Sequence, residues 1–490
     1  MIRKNTLHLL LLLAAFSLTS CSGIPKTGGG GGGNGTATVS FTIAAVPFTP
    51  PPGTSILSFA VTLSGVQLTP ASGGAAVAIP LNATTYVVDL TRLQSDSAFL
   101  GQVLAKIPAG TYNAVTVGVT SAVVTYCTDL GGAVGCDTGS VAQITAGLST
   151  PTTSSFSATF SNGQETGVQI QFNIGKALTV NANTQVVSAV NLAATNVLTA
   201  SVLAPTSTTS SLATGQLDFV EDVTGVVTAV SATAVTVQTS THGSITAVPS
   251  ASSLDVTNCV TTSAACAPAV GQLASIDTAL NSAGTFALLE YDPIAPTSSD
   301  WIEGIVPTTP SSSTQFQIVT NDIFLASAGS LIGTNLSLGA PVQVTLTNVK
   351  PFLVDSKGFL VVATPFTSGA TDATDIIPGQ TVAVHVTKFT PKNGNVPAAA
   401  TVDTVVLRFT RVAGSITSVP GPTLNIQSFP PFFGPAANIY EVQLNTASPS
   451  TNYDGVSGAA GLTVGNPASI RALYFGSTFV PALSAAKVRQ

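Results

Sequence analysis

Charge is what this chain of 490 residues has least of. Asp, Glu, Lys and Arg make up 7% of it, against roughly 25% in an ordinary soluble domain. After Lys26 the next charged side chain is Asp89. The 15 basic residues are scattered, with no basic patch interleaved with aromatics, which excludes a nucleic-acid partner. Aromatics are scarce too: one Trp and seven Tyr are too few for the girdles of an outer-membrane barrel. Two His, His242 and His385, follow the N-terminal segment, and neither comes with an H-E-x-x-H motif or a G-x-S-x-G elbow. A structural or surface role is the default for both. Uninterrupted apolar runs are missing after residue 16, so no later helix is built to span a bilayer, despite a mean hydropathy of +0.47.

What fills the chain instead is Ser, Thr, Gly, Ala and Val in short alternating runs. Val39, Phe41 and Ile43 alternate with Ser40, Thr42 and Ala44, the period of a half-buried strand. Similar runs follow at residues 59–68, 86–90, 115–119, 156–160, 168–174 and 185–192, separated by Gly, Pro and Asn turns. A helical turn or two fits residues 95–106. The pattern predicts an all-β chain: an N-terminal β-sandwich followed by about three small β-barrel-like modules. The length allows several domains. The boundaries read as residues 1–20, 21–36, 37–205, a Ser/Thr-rich linker at 206–216, and modules at 217–300, 301–412 and 413–490. The middle module is swollen by an insertion around residues 331–366.

The N-terminus carries the most specific signal. Arg3 and Lys4 precede an apolar run over residues 7–16, too short for a comfortable span and shaped like a signal peptide. It closes on Leu18-Thr19-Ser20-Cys21, which resembles a bacterial lipobox. That resemblance implies cleavage before Cys21 and lipidation of its thiol and new amino group, with a membrane as partner through the acyl chains. Ser22 after the Cys resembles outer-membrane traffic in lipoprotein sorting. The glycines at 28–33 lack a following Lys-Ser/Thr, so they are a flexible tether and not a phosphate loop.

Three ordered motifs, at residues 55–70, 87–93 (V-V-D-L-T-R-L) and 107–119 (I-P-A-G-T-Y before a valine-rich strand), resemble the exported family catalogued as domain of unknown function 4382. The resemblance covers residues 37–205 and implies a β-sandwich with no catalytic residues. Downstream a pattern recurs: Gly225, Gly304 or Gly414 before a strand, then Gly271-Gln272, Gly379-Gln380 or Gly465-Asn466 before another. Its order resembles the tandem barrels of domain of unknown function 5666.

Setting aside Cys21, the cysteines fall into two local pairs, Cys127 with Cys136 and Cys259 with Cys266. Proximity favours two loop-closing disulfides over free thiols, and the lack of nearby His sets a metal site far behind both. No cofactor-binding, metal or catalytic residues are assigned. Carboxylate pairs occur at Glu221-Asp222, at Glu290 and Asp292, and at Asp300 and Glu303 around Trp301. The last is the one juxtaposition suited to a sugar cleft, and it supports an alternative reading as an exported polysaccharide hydrolase. The expected arrangement there is a rim aromatic between two solvated carboxylates. The leading expectation is a non-enzymatic, lipid-anchored envelope protein that serves adhesion, binds a glycan or protein partner, or has a structural role.

Overall fold

The computed structural model describes residues 35–79, 81, 86–99, 105–147, 151–203, 219–239, 244–249, 267–280, 286–295, 297–447 and 449–490. Cys21, the glycine run, His242, Cys259 and Cys266 lie outside them, as do the side chains of Glu221, Asp222 and Glu290. The described chain is all-β in character, with a single α-helix, at Ile174–Ala177.

Two sheets form the N-terminal sandwich. In one, Thr36–Ala45 runs parallel to Glu165–Phe172, which pairs in turn with Leu198–Leu203. In the other, the long strands Thr54–Pro70 and Gly110–Thr128 run antiparallel, flanked by four shorter strands. Alternation does the work expected of it. Phe41 and Ile43 from the first sheet share a core with Phe59, Val61, Val115 and Val117 from the second, while Thr153, Ser155 and Thr159 of Thr152–Phe160 stay exposed. Among the described residues of the segment 95–106 none forms the expected helical turns, and residues 100–104 lie outside the described residues. A single 3-10 turn spans Arg92–Gln94, and Ala105–Pro108 is a strand on the edge of Thr36–Ala45. Ala105 and Ile107 alternate inward while Lys106 and Pro108 are exposed, a strand period that outweighs helix propensity.

The rest of the described chain folds three times into the same five-stranded barrel. The first consists of Phe219–Val230, Val235–Thr239, Ser244–Pro249, Leu273–Leu280 and Phe286–Ala295. The second consists of Trp301–Ile305, Gln315–Phe324, Pro341–Leu346, Thr381–Thr390 and Ala398–Arg408. The third consists of Thr410–Ser418, Thr423–Gln427, Tyr440–Leu444, Pro467–Tyr474 and Leu483–Arg489. In each, strands one to three form a meander, strand three pairs parallel with strand five, and strand four closes back on strand one. Barrels two and three add a short strand, Leu353–Val354 or Asn452–Asp454, parallel to strand five. In barrel two the insertion carrying it packs Phe352 on Phe366 and Phe359 on Phe409, extending that barrel's core.

The recurring glycines have a common cause. A Cβ on Gly225, Gly304 or Gly414 would lie 2.3, 2.6 or 2.6 Å from a carbonyl oxygen of strand two, so strand one can approach only where a side chain is missing. Gly271, Gly379 and Gly465 have φ of +90°, +92° and +88°, the turn into strand four. Their amides donate to the carbonyls of Val227, Val306 and Ile416 at 2.8, 2.9 and 2.8 Å. The same residues' amides donate back to the carbonyls of Gln272, Gln380 and Asn466.

Candidate functional site

Strand one of barrel two, Trp301–Ile305, is buried along its whole length. Ile302 faces the barrel core, but the outward residues meet other units instead of water. Trp301 packs with Phe324 against Val226 and Leu273 of barrel one. Ile305 joins a cluster with Leu57 of the sandwich and Val412 of barrel three. Between them Glu303 points into the place where the units meet.

The sandwich reaches that place through its V-V-D-L-T-R-L segment. The Asp89 carboxylate accepts from Ser58 Oγ (2.6 Å), Phe59 N (3.0 Å), Thr91 N (2.9 Å) and Thr91 Oγ1 (2.7 Å). These bonds fold the chain tightly after the strand and turn the next residues outward. Arg92 then donates to Glu303 Oε1 at 3.2 Å and lies 3.6 Å from Asp322 Oδ2. Asp96 receives Arg411 Nε at 2.5 Å. Arg489 donates to the carbonyls of Leu93 (3.0 Å) and Asp96 (2.7 Å) and to Ser97 Oγ (2.6 Å), while its Nε holds Asp454 at 2.6 Å.

The barrels are joined to each other by the same chemistry. Arg408, 1% exposed, donates to Glu303 Oε2 (3.1 Å), Asp355 and Thr224 Oγ1 of barrel one (3.0 Å). Lys357, on the insertion, sits between Asp277 (3.2 Å) and Asp292 (3.4 Å) of barrel one. Arg471 of barrel three lies 3.9 Å from Asp277. A chain with very few charges thus spends many of them inside, at joints between domains. Such pairs add little net stability, because desolvation offsets attraction. Their effect is on geometry, since any docking that leaves one partner alone costs several kcal/mol. Burial pushes the Asp96 carboxyl up, but Arg411, Arg471 and Lys487 outweigh it and hold it down at about 2.

The expectation of a rim aromatic between solvated carboxylates is overturned. Trp301, Asp300 and Glu303 are 4%, 3% and 1% exposed. Asp300 accepts from Ala326 N, Ser330 Oγ and Ile332 N, and Glu303 is held by Arg92 and Arg408. A sugar would have to break an interdomain joint to reach Glu303, and hydrogen bonds within barrel two to reach Asp300. The burial of Glu303 is not legible locally, because its partners Arg92 and Arg408 lie 211 and 105 positions away in the chain. His385 is half-buried at the edge of the contact between barrels one and two, 2.6 Å from Asp403 Oδ1, with its ring 5.3 Å from that of Trp301. Burial raises the Asp403 pKa, but bonds from His385 and Thr404, with the charges of His385 and Lys350, bring it below the usual range.

Cys127 and Cys136 form the expected disulfide. Among the described residues no three His, Cys, Asp or Glu side chains gather as metal ligands would. The joint encloses a cavity of about 40 Å³ beside Arg92, Asn321, Arg411 and Phe432, room for a water or two. An open groove of about 530 Å³ on the sandwich is lined by Thr153, Ser155, Thr195, Asn196, Thr199 and their neighbours, none of them ionisable.

Residues 36–188 match the family described as Domain of unknown function (DUF4382). The match spans all three N-terminal motifs and nearly all of the sandwich, so the resemblance of the N-terminal domain to that family holds. No curated protein matches the chain.

Proposed function

We propose that this is a lipid-anchored, non-enzymatic protein of the bacterial cell envelope, in which the sandwich is a rigid spacer and the barrels are the part offered to a glycan or protein partner. In this reading Cys21 is the acylated first residue of the mature chain, facing the outer membrane. Residues 28–33 are the tether, and the barrels are units of the kind grouped as domain of unknown function 5666.

The observation that carries it is the course of the first sandwich strand. Thr36 begins beside Pro108 and Gly163. The strand ends at Ala45, and three positions on Phe48, whose amide donates to Gln94 Oε1 at 2.6 Å, reaches the joint with the barrels. That strand is about 33 Å long at 3.3 Å per residue, and the ionic joint stiffens its far end. Thr36 and the barrels therefore lie at opposite ends of the sandwich's first strand, which supports the reading of the sandwich as a spacer. Five-stranded Greek-key barrels commonly bind oligosaccharides or oligonucleotides on a strand face or between loops, and the lack of basic patches favours the former.

Fatty-acid labelling of cells expressing the chain and its Cys21→Ser variant tests the anchor, with membrane fractionation. Label and membrane association should both vanish in the variant. Glycan arrays and pull-downs with the full mature body test the second half. A soluble, unlabelled wild-type chain would sink the anchored reading, and absence of any glycan or protein ligand would sink the binding role.

A further inference from the structure

The disulfide loop touches three units at once. Cys127 lies on the long sandwich strand opposite Ser55, whose Oγ accepts from the amide of Phe432 in barrel three at 3.2 Å. Cys136 lies nine positions on. Its amide donates to the Pro307 carbonyl of barrel two at 2.8 Å, and the preceding amide, of Gly135, donates to the Phe432 carbonyl at 2.9 Å. Gly135 has φ +97°, and a Cβ there would meet Pro378 and Thr309 at 3.1 and 3.2 Å, so the loop fits with no space to spare. Asp137 and Asp129 accept from the amides of Leu130 and Gly132, both at 2.9 Å, and shape the loop from within.

We propose that the Cys127–Cys136 bond is a redox latch on the interdomain joint: it holds the loop in the form that grips barrels two and three, and once the joint has opened and the bond is reduced that grip is not regained. Without it, residues 128–136 form a longer, looser excursion whose ordering would fall on the docking step itself. With it, the two gripping amides are presented already placed.

The position of the sulfurs also sets an order of events. Both cysteines are buried in a core shared with Phe432, Phe433 and Val412 of barrel three. Thiol reagents therefore reach the pair only while the barrels are away. Oxidation comes first, and docking then seals the bond in. Reduction by a small dithiol runs the sequence backward through an opened joint. The Sγ–Sγ bond breaks, the dithiol closes to its own disulfide, and its two protons end on the Cys127 and Cys136 thiols.

Hydrogen exchange on the full chain, read peptide by peptide, tests the latch. In the oxidised protein the amides of Gly135 and Cys136 should be protected. In Cys127→Ser/Cys136→Ser they should exchange at least about tenfold faster, while the sandwich core around Val117 and Phe172 stays protected. A Cys259→Ser/Cys266→Ser chain should keep the oxidised pattern, which separates this bond from the other cysteine pair. Wild-type chain refolded with dithiothreitol gives a second route if the serine variant fails to fold. Unchanged protection at Gly135 and Cys136 in reduced protein overturns the proposal. Loss of protection throughout the sandwich, by either route, overturns it as well, because the bond would then hold the domain and not the joint.

Discussion

Arg411 and Arg471 stand directly opposite one another on adjacent strands of the third barrel, and Lys487 stands opposite Arg471 on the next strand over. Three cations in a row across a sheet repel each other, and here all three are buried or nearly so. Their counter-charges come largely from elsewhere: Asp96 from the sandwich, Asp277 from barrel one, and Asp454 from the barrel's own extra strand. The third barrel is electrostatically complete only when the sandwich and the first barrel are docked.

Removing Asp96 should therefore cost more than a surface charge would. Asp96→Asn removes the buried carboxylate that Asp96 offers Arg411, and breaking a buried pair in this way costs about 3–5 kcal/mol. Replacing both partners, as Asp96→Leu with Arg411→Met, should recover most of that loss. Urea denaturation of the full chain measures both. A single variant within about 0.5 kcal/mol of wild type, the range of ordinary surface substitutions, would show that the pair does not hold the joint.

Acid should act on the same pair. The Asp96 carboxyl is held down at about 2 in the folded chain, whereas it titrates near 3.9 when unfolded. A lowered folded value contributes stability that is fully present above about pH 4 and disappears as pH falls toward 2. Over that window roughly 2 kcal/mol is at stake. Thermal melts between pH 5 and 2 should show a steeper decline in wild type than in Asp96→Asn. Parallel declines would remove Asp96 from the acid response.

The single tryptophan gives a clean optical probe of another joint. Trp301 is buried against Val226 and Leu273 of barrel one. Leu273→Ala should open space beside the indole, cost about 2–5 kcal/mol, and shift Trp301 emission to the red as water enters. Emission unchanged in a folded variant would mean that barrel one does not cover the ring.

Local rules explain what could be read in advance. Strand alternation, the paired glycines of each barrel and the Cys127–Cys136 loop all depend on residues a few positions apart, so sequence exposes them directly. The joint does not work that way. Arg92 meets Glu303 across 211 positions, and Arg489 meets Leu93 across 396. Nothing in the neighbourhood of Glu303 marks it as a buried partner, and beside Trp301 it looks like a sugar-cleft carboxylate. The low charge content was visible, but its meaning was not: a chain that needs few charges for solubility keeps many of those it has for its interfaces. The short strands after Gln94 were obscured for a similar reason, since pairing with Thr36–Ala45 decides their conformation.

The two glycine positions of the third barrel should fail differently when substituted. At Gly414 the backbone is ordinary but a Cβ would lie 2.6 Å from the Gln427 carbonyl and 2.8 Å from the Phe429 ring, so Gly414→Ala must push strand two away. That overpacking costs about 1–3 kcal/mol, and a larger side chain makes it worse. At Gly465 no atom lies within 4 Å of the missing Cβ, but φ is +88°. Gly465→Ala therefore bears only a backbone penalty, about 1–2 kcal/mol. Asn tolerates left-handed backbone better than Ala does. Gly465→Asn should then be milder than Gly465→Ala, while Gly414→Asn should be harsher than Gly414→Ala. Denaturation midpoints of the four variants decide it. The same ranking at both positions would mean that one constraint, not two, governs the repeat.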